Sequence, residues 1–274
     1  MIRKIAFIGA GSMAEAIISG ILNKGFVTKE QVVVTNKEND ERLTTLQESF
    51  GIQHERDKEK VVEDAEIVIL AMKPKDAYEA IQSIKSYVRK DQLIISVLAG
   101  ISISFIEHVL DQHVPIIRAM PNTSAAIGYS ATALAKGDYV EDRHMEMAEQ
   151  LFATIGTTTI VAEDDLHIVT GLSGSGPAYI YYLVEAMEKA ASEAGLSREV
   201  YKELIVQTLV GAAEMLKTSQ EEPSVLRKKI TSPGGTTQAG IETLNKYRYQ
   251  EALIECVKSA SNRSVELGKI FEKV

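Results

Sequence analysis

Cysteine occurs once in the 274 residues, at Cys256, so no intrachain disulfide framework holds this fold together. A lone thiol in an apolar helical stretch reads as a buried, inert side chain and suits a reducing compartment. No apolar run reaches the ~20 residues that a spanning helix requires. A leader pattern is missing too: Met1 to Ala6 run straight into a strand instead of a charged, apolar and small-residue sequence. The cytoplasm is the expected setting, with no membrane attachment. A basic stripe is also lacking. The net charge of -8 is spread over mixed clusters such as Lys58-Glu59-Lys60, which argues against nucleic acid as a partner. The five histidines, His54, His108, His113, His144 and His167, lack metal-ligand spacing and border no catalytic motif. No metal is therefore expected, and these side chains are assigned surface or helix-end roles. Internal repeats and low-complexity tracts are absent. What remains is an ordinary globular composition, 45% hydrophobic and 25% charged, long enough for two modest domains.

The first half alternates strand and helix patterns. Residues 2–8 are a β-rich run ending at Gly9, and 12–23 then carry Met13, Ala16, Ile17 and Ile21 at helical spacing. Strands follow at 31–35, 66–72, 92–98 and 115–120, with helices expected at 39–50, 76–88 and 104–110 between them. Such alternation implies a parallel sheet covered by helices on both faces. Two further β-like stretches, 130–135 and 157–161, flank an amphipathic segment at 141–152 and complete the sheet. After Glu163 only helical patterns remain, so the boundary is placed there. Residues 1–163 form one domain and 164–274 a second, all-helical one. In the second, a helix opens at Gly176-Pro177 and stops at Gly195, with Ile180, Leu183, Val184, Met187 and Ala191 as its buried stripe. The next, 200–216, is apolar almost all round and needs cover on every side, which points to a partner subunit.

Gly9-Ala10-Gly11-Ser12-Met13-Ala14 reads G-x-G-x-x-A between a strand and a helix. Gly9 permits the tight turn, Gly11 admits a pyrophosphate to the backbone, and Ala14 allows close helix packing. The N–H groups of Ser12 and Met13 at the helix start complete a dinucleotide cradle. At the end of the second strand, NAD sites carry an acidic residue for the ribose 2′-hydroxyl, but this chain has Asn36-Lys37. An amide donor and a cation suit a 2′-phosphate, so NADPH is the expected cofactor and NADH the second choice. A solvated surface lysine is the plain alternative for Lys37. Ala71-Met72-Lys73-Pro74 and Ala99-Gly100 close later strands and should line the cofactor path.

In the helical half, Ile230-Thr231-Ser232-Pro233-Gly234-Gly235-Thr236-Thr237 runs into a helix at 238–245. Free N–H groups there form an anion cradle suited to a carboxylate, and the hydroxyls add directed hydrogen bonds. A capped turn explains the same residues equally well.

Together with 226–245, the segments 9–14, 68–74, 96–100, 118–123 (Arg118-Ala119-Met120-Pro121-Asn122-Thr123) and 174–179 (Gly174-Ser175-Gly176-Pro177-Ala178-Tyr179) resemble, in order, the motifs of pyrroline-5-carboxylate reductases. The resemblance covers nearly the whole chain. It implies a Rossmann-type doubly wound sheet followed by an all-α dimerisation domain, with an active site completed across a homodimer or a larger assembly of dimers. The implied reaction is NADPH-dependent reduction of 1-pyrroline-5-carboxylate to L-proline, the last step of proline biosynthesis. Carried over, Ser232 and the amides of Gly234, Gly235 and Thr236 bind the substrate carboxylate, while Thr237 is the catalytic contact to the ring nitrogen. Asn36 and Lys37 face the 2′-phosphate, and Met120, Pro121 and Asn122 lie by the nicotinamide. A departure stands at Arg56-Asp57-Lys58, where the family often carries an asparagine that touches cofactor. The competing readings are a related dehydrogenase of another small acid and a non-catalytic nucleotide-binding paralogue. The first would call for a lysine or histidine acid in the helical half, the second for decay of the 232–237 loop.

Overall fold

The computed structural model describes residues 2–272. Its first part runs β1 (Ile5–Ile8), α1 (Ser12–Asn23), β2 (Val32–Thr35), α2 (Asp40–Phe50), β3 (Gln53–His54), α3 (Lys58–Val62), β4 (Ile67–Leu70), α4 (Ala77–Ile84), β5 (Leu93–Ser96), α5 (Ile103–Leu110), β6 (Ile116–Met120), β7 (Ser130–Lys136), α6 (Asp142–Ala153) and β8 (Gly156–Ile160). Central strands such as β1 and β4 are apolar at every position because helices cover both faces of the sheet. Their side chains part by alternation. Ile5, Phe7, Ile67 and Ile69 enter one core layer, and Ala6, Ile8, Val68 and Leu70 the other. Each fully buried isoleucine contributes roughly 1.5–3 kcal/mol relative to an exposed one.

The strand order is β3-β2-β1-β4-β5-β6-β7-β8. Every pairing is parallel except β6 with β7, which is antiparallel and corrects the expectation of a uniformly parallel sheet. The cause is the connection: only residues 121–129 join the two strands, too few for a helical crossover. From β7 the helix α6 provides a crossover, and β8 again pairs in parallel.

The chain divides into two compact units, one running up to Pro177 and resuming at Lys258, the other Ala178–Val257. The pattern break after Glu163 marks the end of strands rather than the edge of this unit. A short helix, α7 (Leu166–Val169), places the buried Leu166 in a cluster with Met120, Ala133 and Ala135. A π-helical turn, Thr170–Gly174, leads into α8 (Gly176–Glu193). The last stretch of the chain also returns to the sheet, where Gly268 packs on Gly100 so closely that a Cβ on Gly268 would stand 2.5 Å from the Gly100 carbonyl oxygen.

The second unit comprises most of α8, α9 (Arg198–Thr218), α10 (Pro223–Lys229), α11 (Thr236–Lys246) and the start of α12 (Tyr249–Phe271). Gly195, at φ +87°, ends the first of these helices in the left-handed conformation that glycine adopts freely. Ile205 is the one buried residue of this unit. The expected buried stripe of α8 is not buried within the chain, with Ile180 exposed and the others half-buried. Cys256 is likewise half-buried, which corrects the expectation of a fully enclosed thiol. His144 has the expected helix-end role at the start of α6, buried there with its Nδ1 accepting from the Glu141 N–H, while His167 is half-buried and bonds Ser264 at 3.0 Å.

Candidate active site

Chain order reverses at β1, with β2 and β3 on one side and β4 onward on the other. A reversal of this kind opens a crevice at the carboxyl ends of β1 and β4. Gly9 enters it at φ +115°, and a Cβ there would lie 2.4 Å from the Ala71 carbonyl carbon and 2.5 Å from the Met72 nitrogen. The fold itself therefore demands glycine at position 9. Gly11 is different. Its φ is -76°, and a Cβ would meet only the Ala71 oxygen, at 3.9 Å. Nothing in the fold requires glycine at that point, whereas close approach of a ligand to the backbone does. The first bond closing α1 runs from the Glu15 N–H to the Gly11 carbonyl, so the N–H groups of Ser12, Met13 and Ala14 have no helical partner.

Of these three residues Met13 lines a cleft of about 940 Å³. Of the cofactor residues nominated from sequence, Gly9, Gly11, Met13, Asn36, Lys37, Ala71, Met72, Lys73 and Pro74 line it; Ser12, Ala99, Gly100, Met120, Pro121 and Asn122 do not. Gly100 (φ +79°) is needed for its contact with Gly268. Asn122 is held in a buried network: its Nδ2 donates to the Ser173 carbonyl, its Oδ1 accepts from the Ser124 N–H, and its own N–H donates to Ser130 Oγ.

At the cleft's ribose end, Asn36 is fully engaged in its own loop, donating through Nδ2 to the Asn39 carbonyl and accepting from the Asn39 N–H. The Lys37 ammonium donates to Glu79 Oε2 at 2.7 Å, and this bond holds it above its ordinary pKa although both groups are exposed. Three basic residues that sequence reasoning left without a role also gather here. Arg42 donates through Nε to the Ala10 carbonyl and through Nη2 to Glu15, tying the glycine loop to α2. Arg56 donates to the carbonyl and Oδ1 of Asn36 and pairs with Asp40. Lys58 lines the cleft and donates to Thr35 Oγ1 at 2.8 Å. Opposite charges on neighbouring helices, Glu15 and Arg42, were the signal for the first; the others depend on contacts between distant residues.

In the helical unit the turn before α11 is built by a bond from the Gly235 N–H to the Ser232 carbonyl, with Gly234 at φ +70°. Thr231 and Thr243 spend their hydroxyls on helix carbonyls four residues back. Ser232, Thr236 and Thr237 make no such bond among the described residues. The first bond of α11 joins the Ala239 N–H to the Gly235 carbonyl, which leaves the amides of Thr236 and Thr237 without helical partners. The Gly234 N–H donates to Gln238 Oε1 at 2.7 Å, so a side-chain carbonyl already occupies part of the cradle.

The chain is 49% identical over 269 residues to pyrroline-5-carboxylate reductase 2 of Bacillus subtilis, covering 98% of this chain and 96% of the relative. The chain belongs to the pyrroline-5-carboxylate reductase family. Residues 163–267 match the family model described as pyrroline-5-carboxylate reductase dimerisation, and residues 4–100 match the one described as NADP oxidoreductase, coenzyme F420-dependent. A solved pyrroline-5-carboxylate reductase from Coxiella burnetii superposes with a TM-score of 0.88 at 34% identity, covering 97% of this chain and 99% of the other. The Plasmodium falciparum pyrroline carboxylate reductase, solved with NADP bound, gives 0.87 at 28% identity, over 97% and 98% of the two chains. The cleft fits the dinucleotide of that relative: an open position at Gly11, free helix-start amides and a cationic ribose end are what a phosphorylated dinucleotide demands. No described helix is long and apolar enough to cross a membrane.

Proposed function

We propose that this chain reduces 1-pyrroline-5-carboxylate to L-proline, the closing step of proline biosynthesis, with NADPH as cofactor and NADH as a weaker substitute. The observation that carries the reading is the 232–237 loop. It holds uncommitted hydroxyls and amides but no carboxylate or imidazole of its own. That set binds a carboxylate and orients a ring nitrogen without supplying a strong acid. A cyclic imine is basic enough to arrive partly protonated, so placement is the main task left to the protein. The bound cofactor supplies the hydride that the imine carbon receives.

Ser232 and the Thr236 amide take the carboxylate, joined by the Gly234 amide once Gln238 yields its place, with Gly235 holding the turn. Thr237 holds the ring nitrogen. Gly11, Ser12 and Met13 receive the pyrophosphate, Asn36 and Lys37 flank the 2′-phosphate, and Met72, Lys73, Pro74, Ala99, Met120, Pro121 and Asn122 border the path to the nicotinamide. In this division of labour residues 1–163 hold NADP, and 164–274 bind substrate and join two copies into a homodimer whose sites draw on both chains. Neither nucleic acid nor membrane enters the scheme, and the cytoplasm supplies both reactants. The test is NADPH oxidation by the purified protein with a panel of cyclic imino acids. Oxidation that needs the five-membered imino acid and yields L-proline is expected; a preference for a hydroxy acid, or no turnover, would overturn the reading.

A further inference from the structure

The cationic end of the cleft does not present its charges equally. Lys37, the strand-end lysine, is exposed and already bonded to Glu79, so the pair brings little net charge to a ligand. Arg56 is committed to Asn36 and Asp40 and acts as a positioning residue for that loop. Lys58 stands apart. It opens α3, lines the cleft beside Asn36 and Lys37, is half-buried, and has no carboxylate partner among the described residues. Its bond to Thr35 Oγ1 fixes the ammonium at the end of β2, where a 2′-hydroxyl or 2′-phosphate of a dinucleotide would lie. A half-withdrawn cation with no counter-ion is costly to keep, and a dianionic ligand offsets that cost.

We propose that Lys58 supplies the ammonium that reads the cofactor's 2′-phosphate and thereby sets the preference for NADP over NAD. This rests on the reading of the cleft as the adenosine end of the cofactor site. Burial and the neighbouring Arg56 charge push the Lys58 pKa below its ordinary value, as expected of a cation waiting for an anion. Lys37 contributes less, because its partner Glu79 must first be displaced.

Calorimetric titration of NADP⁺ and NAD⁺ into the assembled protein tests this, with the ratio of the two dissociation constants as readout. Lys58→Met should shrink the preference for NADP⁺ by about tenfold or more, the worth of one charge-assisted hydrogen bond. Lys58→Arg should restore most of it, and Lys37→Ala should shift it less than Lys58→Met. A ratio that Lys58→Met leaves within about twofold of wild type, or that Lys37→Ala alters more, would overturn the proposal. Gly11→Val separates the two ways of failing, since a Cβ there meets nothing in the fold closer than 3.9 Å and the branched side chain would stand in the ligand's path. If Gly11→Val abolishes NADP⁺ binding while Lys58→Met leaves the ratio unchanged, the cleft reading stands and the role of Lys58 falls. If Gly11→Val binds NADP⁺ as wild type does, the cleft reading itself falls, and the proposal with it.

Discussion

The two units differ most in how much of themselves they bury. In the sheet unit, strands such as β1, β4 and β5 hide every side chain between helical layers, and the largest fully buried residues, Phe7 and Phe152 among them, all lie there. In the helical unit one residue, Ile205, is buried, while Leu204, Val206, Val210, Met215 and Leu216 are each at least half exposed. The first has its own core; the second has the side chains of a core, which the described residues leave largely uncovered. A family match to a dimerisation model over 163–267 accords with that difference.

The comparison breaks most completely if the exposed helical face is made charged. The double substitution Val206→Asp with Val210→Asp should leave the sheet unit folded and lower activity by at least about a hundredfold, because unpaired charges cannot be buried in a subunit interface. Sedimentation should show monomers. Next in size is the contrast between two glycines only two positions apart in sequence. Gly9→Val should destabilise the sheet unit by about 3 kcal/mol or more in denaturant titration, given the backbone contact below 3 Å that its Cβ would make. Gly11→Val should leave that midpoint nearly in place and remove cofactor binding. Smaller still is Thr237→Ala, expected to lower turnover on the imino acid while NADP⁺ affinity and stability hold.

The smallest effect concerns pH. Burial pushes the His144 imidazole below its ordinary value of 6.5, and its Nδ1 must stay unprotonated to accept from Glu141. Below pH 6.5 the unfolded chain binds a proton that the folded unit refuses, so stability falls as pH drops from there toward the folded value. His144→Gln retains an acceptor without that titration, and should flatten this limb of a stability–pH curve.

How much the sequence disclosed also differs between the units. The apolar strand runs and the glycine loop were legible because each is a local pattern: four buried residues in a row, or glycine at fixed offsets after a strand. The two-residue strand β3 was not, since Gln53 and His54 are both exposed and carry no alternation. Nor was the reversed direction of β7, because a strand's apolar pattern is the same in either direction and only the short 121–129 connection settles it. Contacts set by tertiary folding escaped altogether. Arg42 meets the Ala10 carbonyl 32 positions away, and Lys58 meets Thr35 across 23. In the helical unit, helix spacing was readable, but the expected burial of the α8 stripe assumed a cover that a single chain lacks.

The claim that the helical unit is completed by a second copy, and that each reaction centre draws on both chains, is tested most directly by mixed dimers. One subunit carries Gly11→Val and the other Thr237→Ala, each expected to be impaired as a homodimer, and the hybrid is purified by two different tags. If a site joins one chain's cofactor cleft to the other chain's substrate loop, one of its two sites is wild type throughout, and about half the normal turnover should return. Hybrids as inactive as either parent would contradict the account.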